Sequence, residues 1–413
     1  MLKRRKILPF LIELSLWVSY FITFQSIFVS AFTRSHQNDP SCNKQLQSQL
    51  FASWSTTATA TSENVLMSNE NDETPSSPRI WLEQQLQNQS VYDDGAYTVL
   101  RGDIIKHLCD DETKISIQIW GRDYHLSRLQ ESYRLLFQDF DAENHARFDE
   151  ANELSINILE QLAKKVVTNY RNEESSILML TLFWMPSASD DAITVSGHVT
   201  LISNQNYVPY KIACISLKPS TKNQDSLDWP NRFSHSPAAK YVSWCLKRRP
   251  LEDLFSQNKI ILLPSNDNKY ILEGITSNVF VHYKDGSWRT NMVDALCGYS
   301  QNIICKILED KMSAQLQYGP ISFEETEKWE HVFVTSSVSW LQPIGKILVP
   351  VYTNEIDEKK YTKIQISHYE TLWELEDVFS SPEKVCEDIL LNLSDKNMTN
   401  LETETIYSSS LIL

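Results

Sequence analysis

The sequence YILEGITSNVFVHY, residues 270–283, decides how the rest of the chain is interpreted. Two apolar, β-branched runs flank its central EGITSN (273–278), a pattern that predicts a strand, a turn and a second strand. The turn needs Gly or Asn, but it does not need a carboxylate at the end of a buried strand. Burying an ion is costly unless a partner compensates its charge. The stretch therefore predicts a cationic partner for Glu273.

Composition limits the class of protein. The chain has 413 residues, a formal net charge of −15 and an apolar fraction of 42%. That fraction is enough for a sizeable core, and the length favours two or three domains. The acidic balance argues against a nucleic-acid partner, which needs a basic stripe to meet phosphates. The seven cysteines contain no CxxC pair and the nine histidines show no HExxH or HxH spacing, so we predict reduced thiols and no metal.

The N-terminal segment, residues 1–35, has the layout of a targeting signal. It starts with basic residues, continues with a long apolar stretch and reaches small residues at Ser30-Ala31. This predicts a signal peptide, or a signal anchor in a membrane if the segment is not cleaved. The sequence AFTRS (31–35) resembles the Ala-Phe cleavage signature of bipartite plastid presequences in algae with secondary plastids. We therefore predict a plastid location, with the secretory pathway or a membrane anchor as alternatives.

Shifts in composition predict the domain boundaries. Residues 36–79 are rich in polar residues and predict a disordered, transit-peptide-like linker. A second polar stretch with three prolines, 218–239, predicts an inter-domain loop. The folded parts are then an N-terminal α+β domain over 80–217 and a C-terminal α/β domain over 240–390. The polar tail, 391–413, is predicted to be disordered.

Hydrophobic periodicity predicts the elements inside these domains. In the first domain we expect strands at 96–102, 114–120, 177–185, 192–202 and 210–217, and helices at 124–137 and about 150–170. In the second domain we expect strands at 260–263, 270–273, 278–283 and 331–336, and helices at 240–255, 300–310 and 370–390.

Several common nucleotide and hydrolase motifs are missing from the sequence. The chain has nine glycines and contains no GxGxxG, no GxxxxGK[ST] and no GxSxG. Because glycine-rich loops let a backbone approach phosphates closely, their absence removes the support for dehydrogenase and NTPase functions. Without a GxSxG motif to carry a nucleophilic serine, the α/β-hydrolase interpretation also loses its support.

The segment EGITSNVF (273–280) resembles the Glu-Gly-x-[Thr/Ser]-Ser-Asn-aliphatic-Phe motif of fold-type IV pyridoxal-phosphate (PLP) enzymes, the class IV aminotransferase family. That family includes branched-chain and D-amino-acid aminotransferases and aminodeoxychorismate lyase. Further motifs occur in the family's order: GAYTVLR (95–101), HLSRL (125–129), SPAAK (236–240), LCGYS (296–300) and VFVTSSVSWLQPI (332–344). The resemblance spans about residues 80–350. The AKYVSW…R..LE pattern (239–252) is most similar to the plant and algal branch labelled D-amino-acid aminotransferase-like.

The resemblance implies a two-domain fold with mixed α/β and α+β character, a small N-terminal α+β domain and a larger, barrel-like C-terminal α/β domain. It also implies PLP as the cofactor, which acts as an electron sink that the protein holds and tunes. Lys240 would form a Schiff base with PLP and later move the proton between the substrate Cα and C4′. Such a lysine must be able to lose its charge. Glu273 would keep the pyridine nitrogen protonated, which identifies the cation that its burial requires.

The remaining site residues follow from the same resemblance. Arg128 would bind the cofactor phosphate with its planar fork of donors. Tyr299 and Ser300, at the start of a helix, would add backbone N–H groups to the phosphate site. Ser337 would add a hydroxyl, and Tyr97 matches a position that reaches the substrate carboxylate.

Each residue also has a purely structural interpretation. Lys240 and Arg128 belong to residue types that usually lie in solvent. Glu273 could pair with an arginine, Ser300 could cap a helix and Tyr97 could be a core aromatic. The ordered set of motifs outweighs these interpretations taken together.

The chain departs from the family pattern near the cofactor. Cys245 stands where branched-chain enzymes have a Tyr that bonds the cofactor O3′, and Arg232 is a candidate replacement. Gln301 stands in place of an Arg, and Cys297 in place of a Pro. These departures argue against an ordinary branched-chain aminotransferase.

The function implied is an aminotransferase that acts on an amino acid and a 2-oxo acid and forms a homodimer. An aminodeoxychorismate lyase-type carbon–carbon lyase uses the same residues, so it stays open as the alternative. A catalytically silent PLP-fold binding protein also stays open, although the presence of both Lys240 and Glu273 favours an enzyme.

Overall fold

The computed structural model describes most of the chain downstream of the N-terminal segment. All described residues belong to one compact unit, Ser53–Leu413. The predicted signal segment, the inter-domain loop and Arg232 lie outside the described residues, and the domain boundaries stay predictions. The described residues are 55–61, 64–67, 78–87, 94–109, 112–137, 145–169, 177–187, 192–202, 210–217, 240–255, 259–353, 365–375, 381–393 and 403–411.

The described helices and strands are numbered in chain order. The helices are α1 (Pro78–Gln87), α2 (Arg122–Leu136), α3 (His145–Asn169), α4 (Val242–Lys247), α5 (Arg249–Leu254), α6 (Tyr299–Lys306) and α7 (Pro382–Leu393). The strands are β1 (Ser55–Thr61), β2 (Asn64–Met67), β3 (Ala96–Cys109), β4 (Glu112–Trp120), β5 (Ile177–Pro186), β6 (Ile193–Ile202), β7 (Lys211–Ile215), β8 (Lys259–Pro264), β9 (Tyr270–Gly274), β10 (Asn278–Tyr283), β11 (Trp288–Thr290), β12 (Leu316–Tyr318), β13 (Ile321–Ser322), β14 (Trp329–Ser336), β15 (Trp340–Thr353), β16 (Gln365–Glu374) and β17 (Thr403–Leu411).

The first sheet has seven strands in the order β17-β4-β3-β5-β6-β1-β2, and every neighbouring pair is antiparallel. Helices α2 and α3 pack on it through apolar residues at helical spacing, among them Leu129, Tyr133, Ile158, Leu162 and Val166. These side chains are buried because three- and four-residue spacing places them on one helix face. The helices expected at 124–137 and 150–170 are confirmed, with α3 beginning earlier than predicted.

The second sheet has ten strands, nine of them in the order β12-β11-β10-β14-β15-β7-β8-β9-β13, with β16 paired to β15. Strand β7 runs parallel to both β8 and β15, while β9, β10 and β14 make antiparallel pairs. The strands predicted on either side of EGITSN are confirmed as β9 and β10. Their partners are other strands of the sheet, so the EGITSN turn links two strands that do not pair with each other.

The structure differs from the expected elements at several places. Helix α1 and strands β11, β12, β13 and β15 are additional, and β7, expected in the first domain, pairs in the second sheet. Strands β1 and β2 lie within the segment predicted as a linker, and β17 lies within the predicted tail. These segments add strands at both edges of the first sheet. Their β-branched residues favour extended backbone once a partner strand is present. The helix expected at 370–390 is instead the end of β16 followed by α7, because β16 pairs along β15.

None of the helices in the described part of the chain has both the length and the apolar character needed to cross a membrane.

Candidate active site

A cavity of about 440 Å³ is lined by residues from both sheets. Its volume falls within the range of pockets that hold small molecules and cofactors. Six of the seven site residues that the sequence predicts line it, namely Tyr97, Arg128, Lys240, Glu273, Ser300 and Ser337. The structure thus brings together residues that are up to 240 positions apart in the chain.

Lys240 is held by its backbone at the junction of β3 and α2. Its backbone N–H donates to Ser132 Oγ at 3.0 Å, and its carbonyl accepts from the Tyr97 N–H at 3.0 Å. Its side chain is half-buried, with Nζ 4.9 Å from the centre of the Tyr97 ring. The fixed backbone places a primary amine at the cavity wall.

Glu273 ends strand β9 and is 4% exposed. The Leu296 N–H donates to its Oε2 at 3.1 Å, which orients the carboxylate at the cavity. The next residue, Gly274, leaves room for the close approach of Ser277 Oγ, which an added methyl group would meet. The Glu-Gly pair therefore combines a buried anion with a closely packed turn.

Arg128 projects from α2 into a network of polar groups. Its Nη2 donates to Thr98 Oγ1 at 2.9 Å and lies 3.2 Å from His125 Nδ1, and the guanidinium carbon is 5.6 Å from the Tyr124 ring centre. His125 is fully buried, and its burial, followed by the charges of Arg128 and Lys240, holds its pKa well below the usual range. His125 is therefore neutral at pH 7, and Nδ1 is free of a proton to accept from its neighbours. The HLSRL spacing predicts Arg128 but not the supporting pair of Thr98 and His125.

Two buried hydroxyls face the cavity without a partner. Ser300 Oγ and Thr335 Oγ1 belong to residues that are each 1% exposed, and neither makes a hydrogen bond to any other described residue. Buried hydroxyls are nearly always hydrogen-bonded in proteins. Because these two hydroxyls lie at the cavity wall and can donate hydrogen bonds, they favour a ligand rich in oxygen atoms. Thr335 is a site residue that sequence reasoning missed, although it lies in the Thr/Ser-rich strand that gave Ser337.

Tyr299 differs from the other predicted site residues because its side chain is not part of the cavity wall. Its ring packs against the aromatic rings of Tyr124, His125 and Trp340. It also lies against Gly121, where φ is 60° and an added methyl group would collide with the ring. This close approach joins the start of α2 to the start of α6. Only the backbone role predicted for Tyr299 remains open.

The residues present fit a phosphorylated pyridine aldehyde. Arg128, with the hydroxyls of Ser300, Thr335 and Ser337, offers donors for a phosphate group. Lys240 offers the amine that an aldehyde requires, and Glu273 offers the anion that a protonated ring nitrogen requires. Four cationic side chains line the cavity against the single carboxylate of Glu273, which suits an anionic cofactor: Arg79, Arg128, Lys240 and Arg248.

The departures from the family pattern have local structural roles. Gln301 is fully buried, and its Nε2 donates to Thr290 Oγ1 at 2.7 Å and to the Asn291 carbonyl at 2.9 Å. The Cys297 carbonyl accepts from the Tyr124 hydroxyl at 2.8 Å. Cys245 Sγ donates to the Tyr97 hydroxyl at 3.4 Å, so its thiol contacts a predicted substrate-binding residue.

A cluster of possible metal ligands lies on β10 and β14, and none of its residues lines the cavity. His282 Nδ1 is 3.1 Å from Glu330 Oε2 and 3.2 Å from His331 Nδ1, with the two imidazole planes at 7°. The prediction that the chain binds no metal stays a prediction.

The chain is similar to known proteins in sequence and in fold. A sequence model described as amino-transferase class IV matches residues 115–347, which is more than half of the chain. No curated protein matches the chain by sequence.

Three solved structures with similar folds are branched-chain aminotransferases. One, from the archaeon Thermoproteus uzoniensis and solved with norvaline, has 12% identity, covers 85% of this chain and 100% of its own, and gives a TM-score of 0.53. The enzyme from T.th., solved with pyridoxamine 5′-phosphate, has 12% identity, covers 85% of this chain and 98% of its own, and gives a TM-score of 0.52. A mutant enzyme from Thermobaculum terrenum has 12% identity, covers 85% of this chain and 97% of its own, and also gives a TM-score of 0.52.

The expected fold class is therefore confirmed by structures at low identity, and the family is shown by the sequence model. The chain belongs to the class IV aminotransferase family, and it is a PLP-dependent aminotransferase of fold type IV.

Proposed function

We propose that the protein transfers an amino group between an amino acid and a 2-oxo acid in this cavity, with PLP attached to Lys240. The observation that carries the proposal is the convergence of six predicted site residues on one cavity, together with the two unpartnered hydroxyls in its wall. When bound, PLP supplies an electron sink and a carbonyl group that carries the amino group between the substrates.

The chain's own residues hold the cofactor and move one proton. Lys240 would hold the cofactor through Nζ and, once displaced by an amino substrate, would take the proton from the substrate α-carbon and return it to C4′ of the cofactor. Glu273 supplies a fixed negative charge against the ring nitrogen, and the Leu296 N–H keeps its carboxylate oriented. Arg128 binds the phosphate, and its contact to Thr98 limits the rotation of the guanidinium.

An amino-donor screen tests the proposed function. The purified protein is loaded with PLP, and L and D amino acids are added separately while the absorption of the bound cofactor is followed. We expect at least one donor to convert the bound cofactor to the pyridoxamine form, and a 2-oxo acid to reverse the conversion. In a parallel assay with aminodeoxychorismate as the substrate, release of pyruvate from that substrate while the bound cofactor stays in the pyridoxal form would instead support the lyase. Bound PLP that responds to no donor would support the silent binding protein.

Removing the Arg128 guanidinium should weaken cofactor binding. Arg128→Ala is expected to reduce PLP affinity by about 1.5–3 kcal/mol, the scale of hydrogen bonds to a charged group. Fluorescence titration of the apoprotein with PLP gives the dissociation constant. Arg134→Ala is the matched control, because Arg134 lies on the same helix, has a side chain that is 39% exposed and is not part of the cavity wall. Equal affinities for the Arg128 and Arg134 variants would reject the assigned role.

We also propose a homodimer, as implied by the resemblance to enzymes whose active site borrows a loop from a partner subunit. Multi-angle light scattering of the active protein gives its mass, and an active monomer would contradict the proposal.

We also propose that the protein belongs to the plant and algal D-amino-acid-like branch, on the basis of residues 239–252. The proposed plastid location rests on residues 1–35. Microscopy of a fluorescent fusion in an alga with a secondary plastid would test the location.

A further inference from the structure

We propose that Arg248, together with Tyr97, forms the subsite that binds the carboxylate of the substrate. This inference rests on the proposed amino-transfer function and adds a residue that the motifs do not assign. Arg248 separates α4 from α5 and lies one helical turn beyond Cys245. Its side chain is only 12% exposed and lines the cavity.

Arg248 has no assigned role in holding the cofactor. Arg128 and Lys240 are assigned to the phosphate and the covalent attachment, and the one lining carboxylate, Glu273, is assigned to the ring nitrogen. Arg248 and Arg79 are the remaining lining cations. A buried cation in a ligand cavity favours an anionic group on the ligand.

Behind the cavity, Arg248 is oriented by Glu252. Its Nε lies 2.9 Å from Glu252 Oε1, and Arg79 pairs with the other oxygen of the same carboxylate. Arg79 also pairs with Glu83 at 3.2 Å, on the first turns of α1. Glu252 and Glu83 together balance the two guanidinium charges, but neither carboxylate lines the cavity, so the guanidinium groups are the charges at its wall.

Tyr97 connects Arg248 to the reaction centre. Tyr97 and Arg248 line the same cavity, and Cys245, one helical turn before Arg248, donates from Sγ to the Tyr97 hydroxyl at 3.4 Å. A phenol oxygen that accepts from a thiol can still donate its own O–H to a ligand. The Tyr97 ring also lies 4.9 Å from Lys240 Nζ, so the Tyr97–Arg248 pair is close to the amine that reacts.

The surroundings keep Arg248 charged and strengthen its attraction for an anion. Burial opposes the charge, but the neighbouring Cys245, Tyr97 and Glu252 side chains outweigh burial and raise the pKa of Arg248. Apolar side chains line the same cavity and lower the local dielectric, namely Leu82, Val99, Met179 and Trp244. A guanidinium binds a carboxylate through two parallel hydrogen bonds, and every amino acid and 2-oxo acid carries that group.

The test measures carboxylate binding separately from catalysis. Isovalerate is titrated into the PLP-loaded protein and followed by isothermal calorimetry, with its neutral amide as the matched ligand. Arg248→Gln should weaken isovalerate binding by about 10- to 100-fold, as expected for the loss of a charge-assisted hydrogen bond. Arg248→Lys keeps the charge and should recover part of that loss. Neither change should affect binding of the amide.

Arg249→Gln is the control variant, because Arg249 is the adjacent residue, is 59% exposed and does not line the cavity. It should bind isovalerate like the unchanged protein. Equal isovalerate affinity in the Arg248→Gln and Arg249→Gln proteins would overturn the proposal. So would a displaced cofactor absorption band with unchanged isovalerate binding, since it would place Arg248 on the cofactor O3′.

Failure of the proposed function gives a different result. If the unchanged protein binds isovalerate through Arg248 but converts no amino donor, the carboxylate subsite stands and amino transfer is refuted. If it converts donors while Arg248→Gln leaves both isovalerate binding and the KM of the donor unchanged, only the subsite is refuted. The melting temperatures of the variants, measured on the same samples, show that folded proteins are being compared.

Discussion

Replacing Glu273 by Gln is expected to lower kcat by about 10²- to 10⁴-fold while the protein stays folded, the scale of losing a positioned acid–base or electrostatic group. Gln keeps the shape of the side chain and can still accept from the Leu296 N–H. It removes the negative charge that favours a proton on the cofactor ring nitrogen. Without that proton the ring withdraws electrons less well, so removal of the substrate α-proton becomes slower.

The measurement is kcat and melting temperature on one preparation, with Glu374→Gln as the control. Glu374 also ends a strand, but it is 58% exposed and pairs with Lys346 at the surface. The control should leave both quantities nearly unchanged. If Glu273 only braces its neighbours, Glu273→Gln would lower the melting temperature and leave the turnover of the folded fraction intact, which would refute its assignment to the cofactor.

Replacing Lys240 by Ala is expected to abolish the covalent attachment and to lower amino transfer by at least about 10³-fold, because one amine serves as both nucleophile and base. The amine is placed by backbone hydrogen bonds to Ser132 and Tyr97, which the substitution leaves intact. The variant should therefore fold and still bind PLP without a covalent bond.

Borohydride reduction of the unchanged protein, followed by peptide mapping, identifies the attached residue. We expect a pyridoxyl group on the Lys240 peptide and none in the Lys240→Ala protein. Lys247→Ala is the control, since Lys247 lies in the helix that follows and is not part of the cavity wall. A label on any other lysine would show that Lys240 is wrongly assigned.

The predicted site residues that line the cavity belong to local motifs that set the backbone. EGITSN combines a strand end, a glycine and a carboxylate, so the position of Glu273 at the end of β9 follows from its local sequence, whereas the orientation of its carboxylate depends on the distant Leu296 N–H. The residues that sequence reasoning missed depend on contacts between distant positions. Thr98 on β3 supports Arg128 on α2, and Arg248 lines the same cavity as Tyr97, which lies 151 residues earlier in the chain. No local pattern signals such pairs.

The errors in the predicted elements have a related cause. The pattern of polar and apolar residues from 365 to 374 is compatible with a helix or a strand. The segment forms a strand because it pairs with β15. Helix α7 begins only at Pro382, where proline suits the first helical position. The segments that form β1, β2 and β17 have weak signals, because strands at or next to the edge of a sheet depend on the strand beside them.

The cavity that both sheets share has a consequence for how long the protein persists in a cell. Its wall includes Tyr97 and Arg128 from the first sheet region and Glu273 and Ser300 from the second, so a ligand held there binds only the folded chain. By mass action, a ligand at 100 times its dissociation constant adds about 2.7 kcal/mol to the free energy of unfolding. Degradation in cells often follows the population of unfolded chains. The abundance of this protein should therefore follow the vitamin B6 status of its compartment, independently of any change in its synthesis.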